Sequence, residues 1–465
     1  MKPIRRFIIA GVVPFLVIFS ATLLQYKVIF ALGGMVNHTL VDKTTKNATD
    51  VKDIAGTCIA KNNQKLYNNG PFAWTPAMEG MIVSTNLVGS MAGMVLALFI
   101  YNYLDMRLVL SSVLVFSGIL SVVTPVLSLQ VGDKFDSILV AAMEFMECGL
   151  TAVITPMIPT VVNAWFLPSE HYIMSNFIWL GLDISRIGFS LTGVLIEKIG
   201  WESLFYISGG FSLVVGVSYY VAMTQDPADN LFISEEEKEL IASSRGKTFL
   251  VKKTQAEYRS RSANLYRMFS KFKNDMKVRT DDPNLHPVPY KEIFMSKMFW
   301  LSAAQATAQF WIMSMMVLMN KDFFEEIHGY TVSEAAMLVT LPNNLFMIAV
   351  YFSAGHLADF MNKVGIEKIR IRQLGIIVQI ISVIPMLTMT FLPCSVMEYK
   401  EVAVFIQIFS TLRGFGNLAG YSSMGDLSPT FQGIGNFVAY HIFMYALSQE
   451  HWCHCHPSSP SQYPD

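Results

Sequence analysis

The chain is divided in two by the stretch RGKTFLVKKTQAEYRSRSANLYRMFSKFKNDMKVR, which covers Arg245–Arg279. This stretch contains eleven Lys and Arg residues and only two acidic ones, and it lies within a longer polar segment, Gln225–Lys297. Six apolar runs precede the polar segment and five follow it, each long enough to cross a bilayer. The pattern predicts two groups of membrane helices joined by one long charged loop.

The composition sets the fold class. Of 465 residues, 52% are hydrophobic and 15% are charged. A bilayer core of about 30 Å requires about 20 apolar residues in a helix, and spanning segments must be helices or closed barrels. Because the runs are uniformly apolar and do not alternate as barrel strands do, the sequence predicts an all-α polytopic membrane protein.

The predicted spans fall into an N-terminal bundle, 1–224, and an incomplete C-terminal bundle, 298–448. In the first bundle they are Phe7–Met35, Gly80–Tyr101, a third that ends near Leu129, Ile138–Val161, Ile173–Ile196 and Leu204–Met223; in the second they are Met298–Met319, Glu334–Ala354, Ile371–Phe391, Val402–Tyr421 and Phe431–Leu447. This gives about eleven helices. The atypical tail, 449–465, indicates a frameshifted or alternatively spliced end that removes a twelfth helix.

Charge and glycosylation signals predict the orientation. The N-terminus and the 225–297 loop are rich in Lys and Arg, which are typical of cytoplasmic segments. Asn37 and Asn47 each begin an Asn-x-Thr glycosylation acceptor in the polar loop 37–74, and Asn47 is the better candidate because Asn37 adjoins the membrane. We therefore predict a cytoplasmic N-terminus and a glycosylated lumenal loop. Within the 225–297 segment, Ser234 and Glu237 have capping-box spacing for a short helix.

Ionisable residues inside predicted membrane helices are candidates for function, because burial makes them costly. Glu144 and Glu147 lie three residues apart on the fourth helix, and Asp183 and Arg186 lie three apart on the fifth. Each pair shares a helix face. One interpretation is a proton- or cation-binding carboxylate, with Arg186 binding an anionic group or pairing with Asp183. The alternative is an internal ion pair that joins the fourth and fifth helices.

Two further cations lie in apolar runs. Arg413 on the tenth helix is predicted to meet an anionic substrate; otherwise its side chain extends to the membrane surface or pairs with a carboxylate. Lys27 is a similar candidate for binding an anionic substrate. It lies in the outer third of the first helix, where its side chain can instead extend to the membrane surface. We expect Glu144 to lie near that surface as well.

A series of motifs adds a resemblance to a known family. The motifs are GMVNHT at 34–39, Gly200-Trp201 with Phe205-Tyr206, VPY at 288–290, FEEIHGY at 324–330, Leu341-Pro342, GHLAD at 355–359, and Asp426 with Pro429 and Gly435-Asn436. In this order they resemble the major facilitator superfamily, and within it the anion:cation symporters, which include sodium/phosphate cotransporters, sialin and vesicular glutamate transporters. The resemblance covers about Phe15–Asn436.

The resemblance implies two helical bundles that rock about a midplane site. It also implies gate hydrogen bonds at Gly355 and Asp359, and at the pseudo-equivalent Asp105 and Arg107. Family positions for anion-binding arginines correspond to Gln25, Glu144 and Gln309, and the family's fourth-helix Glu corresponds to Thr151 unless a small shift brings in Glu147. The fold therefore carries over from the family, whereas the substrate does not.

The sequence thus predicts a secondary transporter for an organic anion or phosphate, coupled to protons or sodium, in a plasma, lysosomal or vesicular membrane. The predicted partners are a small anionic solute and the lipid bilayer, with no cofactor. A net charge of −1 argues against a nucleic-acid partner. No nucleophile–base or metal constellation indicates an enzyme. The alternative is a non-transporting receptor or scaffold, or an inactive truncated isoform, which the substituted arginines and the missing helix favour.

Overall fold

The computed structural model describes most of the first half of the chain and parts of the second. The described residues are 4–37, 70–100, 105–131, 135–167, 170–189, 192–224, 226–244, 290–297, 299–301, 303–305, 307–308, 312, 338, 341–389 and 400–418. Their regular structure is helical, apart from one isolated bridge between Val36 and Phe72. The all-α prediction is therefore confirmed over these ranges. The eleventh span and the 449–465 tail lie outside the described residues.

The first half is a bundle of long helices. A π-helical segment, Phe7–Val12, leads into α1, Val13–Met35. The helices that follow are α2 (Pro76–Ile100), α3 (Met106–Gln130), α4 (Asp136–Ala152), α5 (Ile154–Trp165), α6 (His171–Phe189), α7 (Thr192–Ile199) and α8 (Glu202–Ala222). Five spans in the described residues are long and apolar enough to cross a membrane: Phe7–Met35, Ala77–Ala97, Met106–Gln130, Asp136–Trp165 and Glu202–Ala222.

A short helix and the second half follow. They comprise α9 (Glu235–Ser244), α10 (Tyr290–Met295), α11 (Leu341–Lys363), α12 (Lys368–Met389) and α13 (Lys400–Ser410), which continues as a 3₁₀ segment, Thr411–Leu418. The Ser234 hydroxyl accepts from the Glu237 backbone N–H at 3.3 Å, and the Glu237 carboxylate accepts from the Ser234 N–H at 3.1 Å. The predicted capping box is confirmed.

Small residues allow the first-half helices to approach closely. Gly93 on α2 faces the Gly149 backbone on α4 so closely that a β-carbon at Gly93 would overlap it. On α3, the Ser111 hydroxyl donates to the backbone oxygen of Gly216 on α8 at 2.8 Å. In a membrane the hydrophobic effect does not drive helices together, because lipid tails are as apolar as the side chains. Close packing and interhelical hydrogen bonds stabilise helix pairs instead. The resulting rigid bundle fixes where α4 and α6 place their charged side chains.

The fourth predicted span is one run of helix with a local break. At Val153 the backbone N–H reaches the oxygens of both Leu150 and Thr151, and α5 begins at the next residue. Pro156 and Pro159 follow, and a proline inside a helix removes a backbone donor and bends the helix. The bend comes after Glu144 and Glu147, so both carboxylates stay on the regular part, α4.

The two halves meet where α6 packs against α11. Leu180 forms a small buried group with Met347 and Tyr351. Near the other end of the contact, Gly355 lies beside Asn176 with no side chain between them, since a β-carbon there would be 3.4 Å from the Asn176 amide nitrogen. The sequence placed the end of the eighth helix at Ala354. That boundary was wrong, because α11 continues to Lys363.

Candidate functional site

The first charged group lies inside the first half and consists of Lys27 on α1 with Glu144 and Glu147 on α4; we call it the Lys27 cluster. The Lys27 ammonium nitrogen lies 3.1 Å from Oε1 of Glu144 and 2.5 Å from Oε1 of Glu147. The lysine side chain is 1% exposed and both glutamates are 0% exposed. Glu144 and Glu147 are nearly one helical turn apart, so both carboxylates face α1.

Other groups complete the surroundings of the ammonium. Lys27 Nζ also donates to the backbone oxygen of Leu24 at 3.1 Å and lies 5.0 Å from the centre of the Phe205 ring. A cation over an aromatic face is stabilised by the ring quadrupole. In contrast, Oε2 of Glu147 has no hydrogen-bond partner among the described residues. With one ammonium and two carboxylates, the cluster has a formal charge of −1.

One expectation about this cluster was wrong. The Lys27 side chain does not extend to the membrane surface, because its ammonium is buried between the carboxylates of Glu144 and Glu147. The position of Glu144 near the outer surface stays a prediction. The interpretation of a fourth-to-fifth helix ion pair also fails for these carboxylates, which bind α1. The position of each residue along its own helix could not show how α1 and α4 are rotated towards each other.

The second charged group begins with Asp183 and Arg186 on α6. The Arg186 Nη1 atom donates to Oδ1 of Asp183 at 3.2 Å, and the two side chains are 5% and 1% exposed. The predicted pairing of these residues is confirmed. Among the described residues, Nε and Nη2 of Arg186 and Oδ2 of Asp183 have no hydrogen-bond partner.

Residues of the second half complete this group. Arg413, in the 3₁₀ segment after α13, interacts electrostatically with Asp183 and Arg186, and Tyr351 on α11 interacts with Asp183. All four side chains are buried. We call Asp183, Arg186, Tyr351 and Arg413 the interface cluster. Its first two residues lie on α6 in the first half, and its last two lie in the second half.

Arg413 is held in place by its own half. Its Nη1 atom donates to the backbone oxygen of Ser410 at 3.1 Å and to Oδ1 of Asn343 at 3.4 Å. Asn343 in turn donates to Oε1 of Gln407 at 3.4 Å. Arg413 also lies within electrostatic range of the Asp183 carboxylate on the opposite half. Its role at an anionic substrate stays a prediction.

The sequence analysis missed Tyr351 and Asn343. Both lie in a helix otherwise rich in apolar residues, where a phenol or an amide is a weaker signal than a charge. Tyr351 lies one turn after Met347, and both pack on Leu180 of α6. The signal that was available is the set of polar side chains at Asn343 and Asn344 inside a membrane-length helix, since buried polar groups require partners.

The predicted gate residues are arranged as follows. The Asp105 carboxylate caps α3 by accepting from the Arg107 backbone N–H at 2.8 Å. The Arg107 guanidinium donates to the Tyr220 backbone oxygen at 2.6 Å and lies over the Tyr220 ring. Gly355 lies on α11 against α6, and Asp359 is helical in backbone on the same element. The gating role of all four stays a prediction.

The remaining predicted positions are partly described. Asn37 follows α1, and its backbone N–H donates to the Phe72 oxygen at 2.7 Å. Asn47 and Gln309 lie outside the described residues. Thr151 donates its hydroxyl to the Glu147 backbone oxygen at 3.0 Å, so it adjoins the Lys27 cluster without carrying charge. In the part of the chain that the structure describes, no three His, Cys, Asp or Glu side chains are grouped as metal ligands.

A third charged contact joins Arg6, near the N-terminus, to Glu170 and Glu237. Arg6 is buried, and its Nη2 atom donates to both carboxylate oxygens of Glu170 at 2.8 and 2.9 Å. The Arg6 backbone N–H also donates to Oε1 of Glu237 at 3.3 Å. The contact therefore joins the residues before the π-helical segment to the segment between α5 and α6 and to α9.

These features define a helical membrane protein with charged groups buried both inside one bundle and between its halves. The chain belongs to the Major Facilitator Superfamily, whose family model matches residues 14–448. Proteins of this family are transporters, and the two-bundle fold class predicted from the sequence is confirmed.

Relatives with similar sequences agree with this assignment. The chain is 24% identical to vesicular glutamate transporter 3 of Danio rerio over 64% of this chain and 46% of the relative. It is 26% identical to vesicular glutamate transporter 2 of Homo sapiens over 38% of this chain and 25% of the relative. The chain thus spans less than half the length of these relatives. Because these relatives are vesicular glutamate transporters, the match confirms the resemblance to the anion:cation symporters.

The fold is similar to that of the proton:xylose symporter XylE bound to 6-bromo-6-deoxy-D-glucose. The match has a TM-score of 0.59 at 11% identity and covers 96% of this chain and 88% of the symporter. At this identity the likeness concerns the fold.

Proposed function

We propose that this chain is a secondary active transporter that moves a small organic anion or phosphate by alternating access, coupled to a proton or a sodium ion. The observation that supports the proposal is the interface cluster. Two arginines and one aspartate, all buried, give it a formal charge of +1 between the halves. A buried net positive charge favours binding of an anion.

The location of the cluster fits the transport cycle. In two-bundle transporters the substrate lies near the midplane between the repeats, and access alternates as one bundle rocks against the other. Arg186 belongs to the first half, and Arg413 to the second. An anion held by both cations would therefore respond to any rotation of one half against the other.

The Lys27 cluster supports a coupling role for Glu147. Its formal charge of −1 and the free Oε2 atom of Glu147 favour a cation. Asp183 was the other carboxylate predicted to bind the coupling ion. Asp183 lies among excess positive charge, so we assign proton or sodium binding to Glu147 instead.

The matched relatives are named as glutamate transporters, and glutamate is an organic anion. This supports an anionic substrate in general without selecting glutamate, because the matched part covers less than half of each relative. We also propose that the N-terminus, and with it the Arg6 contact, lies on the cytoplasmic side of a plasma, lysosomal or vesicular membrane.

Uptake by purified protein in proteoliposomes tests the proposal. The substrates are phosphate, urate, sialic acid and glutamate, each supplied with an imposed proton gradient, an imposed sodium gradient or neither. We expect one of them to accumulate above the protein-free control only under one gradient. A folded protein that takes up none of them contradicts the proposal and favours the non-transporting receptor or scaffold.

A further inference from the structure

We infer that the Nε–Nη2 edge of Arg186 binds the carboxylate of a singly charged substrate, and that Asp183 is the residue that limits the substrate's charge to one. The inference rests on the proposed anion transport and adds the charge class of the substrate. Asp183 acts through Arg186 and through the net charge of the interface cluster, so it determines specificity without itself binding the substrate.

Only part of the Arg186 guanidinium is occupied by a hydrogen bond to Asp183. Its Nη1 atom is occupied by Oδ1 of Asp183 at 3.2 Å. Its Nε and Nη2 atoms are buried, and they have no hydrogen-bond partner in the ranges that the structure describes. In a guanidinium these two N–H groups point the same way along one edge, and they match the two oxygens of a carboxylate.

Leaving two charged donors buried without an acceptor is unfavourable, because their hydration has been lost. The side chain is nonetheless 5% exposed and held on a regular part of α6 by the Asp183 bond. An incoming carboxylate would provide the two missing acceptors without displacing Asp183. The bond to Asp183 therefore orients the Nε–Nη2 edge of Arg186 before the substrate binds.

The charge of the cluster determines which anion fits. Arg186 and Arg413 contribute two positive charges and Asp183 one negative charge; Tyr351 faces Asp183 from α11 as a neutral phenol. A single negative charge on the substrate neutralises the remaining positive charge. A doubly charged anion would leave one uncompensated negative charge in a buried site, which is strongly unfavourable.

Arg413 supplies the second positive charge from a fixed place. Its bonds to Ser410 and Asn343 orient it within the second half, independently of Asp183. Replacing Asp183 with a neutral residue would therefore leave both arginines in the cluster and raise its formal charge from +1 to +2. That change favours a doubly charged anion.

The experiment compares two ligands of nearly the same shape, succinamate with one charge and succinate with two. Binding is measured as ligand-dependent thermal stabilisation of the purified full chain at neutral pH, and in parallel as inhibition of uptake in the proteoliposome experiment described above. We expect wild-type protein to bind succinamate about tenfold or more tightly than succinate. We expect Asp183→Asn to reverse the preference, and Arg186→Lys, which keeps the charge but loses the edge, to weaken succinamate binding about tenfold.

Asp136→Asn is the matched control. Asp136 is a buried aspartate at the first residue of α4, where its carboxylate accepts from the adjacent Ser137 N–H. This variant should keep the wild-type preference for succinamate. If Asp183→Asn does not fold, Asp183→Ser and the wild-type preference itself provide the test.

The outcomes separate the inference from the proposed function. A wild-type protein that takes up one of the tested anions under a gradient but binds succinate as well as succinamate overturns the inference alone. The same holds if the Asp183 variants keep the wild-type preference. Wild-type protein that neither takes up an anion nor is stabilised by either ligand overturns both.

Discussion

Lys27 and Glu147 form an ion pair between α1 and α4, with 2.5 Å between the ammonium nitrogen and Oε1 of the carboxylate. The other oxygen of Glu147 has no hydrogen-bond partner among the described residues. One carboxylate thus both holds two helices together and keeps a free acceptor in a cluster with excess negative charge.

The first prediction concerns coupling. Glu147→Gln removes the charge that would bind a proton or sodium ion but keeps the size of the side chain. We expect gradient-driven uptake to fall about tenfold or more, while exchange of substrate across the membrane without a gradient persists. Both are measured in the same proteoliposomes. Gradient-driven uptake at the wild-type rate would show that the coupling ion binds elsewhere.

The second prediction concerns stability. Lys27→Met leaves Glu144 and Glu147 buried without their counter-charge. Breaking a buried pair in this way destabilises a protein by about 3–5 kcal/mol. We expect a decrease of this size in the free energy of unfolding, measured in detergent by tryptophan fluorescence during denaturant titration.

The control for this prediction neutralises the whole cluster. In Lys27→Met combined with Glu144→Gln and Glu147→Gln, no charge remains unpaired, and much of the lost stability should return. If the triple variant is no more stable than Lys27→Met, the loss comes from altered packing around the substituted side chain in α1 and not from unpaired charge.

Local features of the sequence predicted local structure well. The Ser234–Glu237 capping box and the Asp183–Arg186 pair depend on residues three apart on one helix, and both are confirmed. The partners of Glu144 and Arg413 lie 117 and 70 positions away in sequence. Such pairings depend on how helices rotate and pack, so the sequence named the charged residues but not which of them meet.

The predicted end of the eighth helix was wrong because it, too, depends on how helices pack. The eighth predicted span ends at Ala354, immediately before Gly355 and His356 in the sequence. In the structure the helix continues, since Gly355 is the position where α11 approaches Ile173 and Asn176 of α6. A glycine that serves close packing looks in sequence like one that ends a helix.

The third prediction tests the second-half cation. Arg413→Gln removes one of the two positive charges of the interface cluster, and Arg413→Lys keeps the charge with fewer donors. We expect the KM for the transported anion to rise about tenfold in the glutamine variant and less in the lysine variant, because charge is the main contribution.

Arg370→Gln is the matched control for Arg413. Arg370 lies on α12, its side chain is 74% exposed, and it pairs only loosely with Glu367 at 3.7 Å. An exposed ion pair contributes little free energy. The KM of Arg370→Gln should therefore equal that of wild type. Equal KM values for Arg413→Gln and wild type would remove Arg413 from the anion site.

The fourth prediction concerns the contact between Arg6, Glu170 and α9. Arg6→Ala removes the partly buried ion pair in which one guanidinium nitrogen donates to both oxygens of Glu170, and it leaves that carboxylate without its cation. Because the Arg6 backbone also contacts Glu237, we expect loss of the side chain to loosen α9 from the first half. Limited proteolysis in detergent should cut the chain between residues 226 and 244 about threefold to tenfold faster than in wild type.

The neighbouring residue provides the control, since Arg5 is exposed and Arg5→Ala removes the same charge one position away. We expect the Arg5 variant to be cut at the wild-type rate, because surface charges contribute little. Equal acceleration in both variants would mean that the positive charge near the start of α1 matters in general. Acceleration in Arg6→Ala alone would show that the ion pair with Glu170 holds the residues before α1, the α5–α6 segment and α9 together.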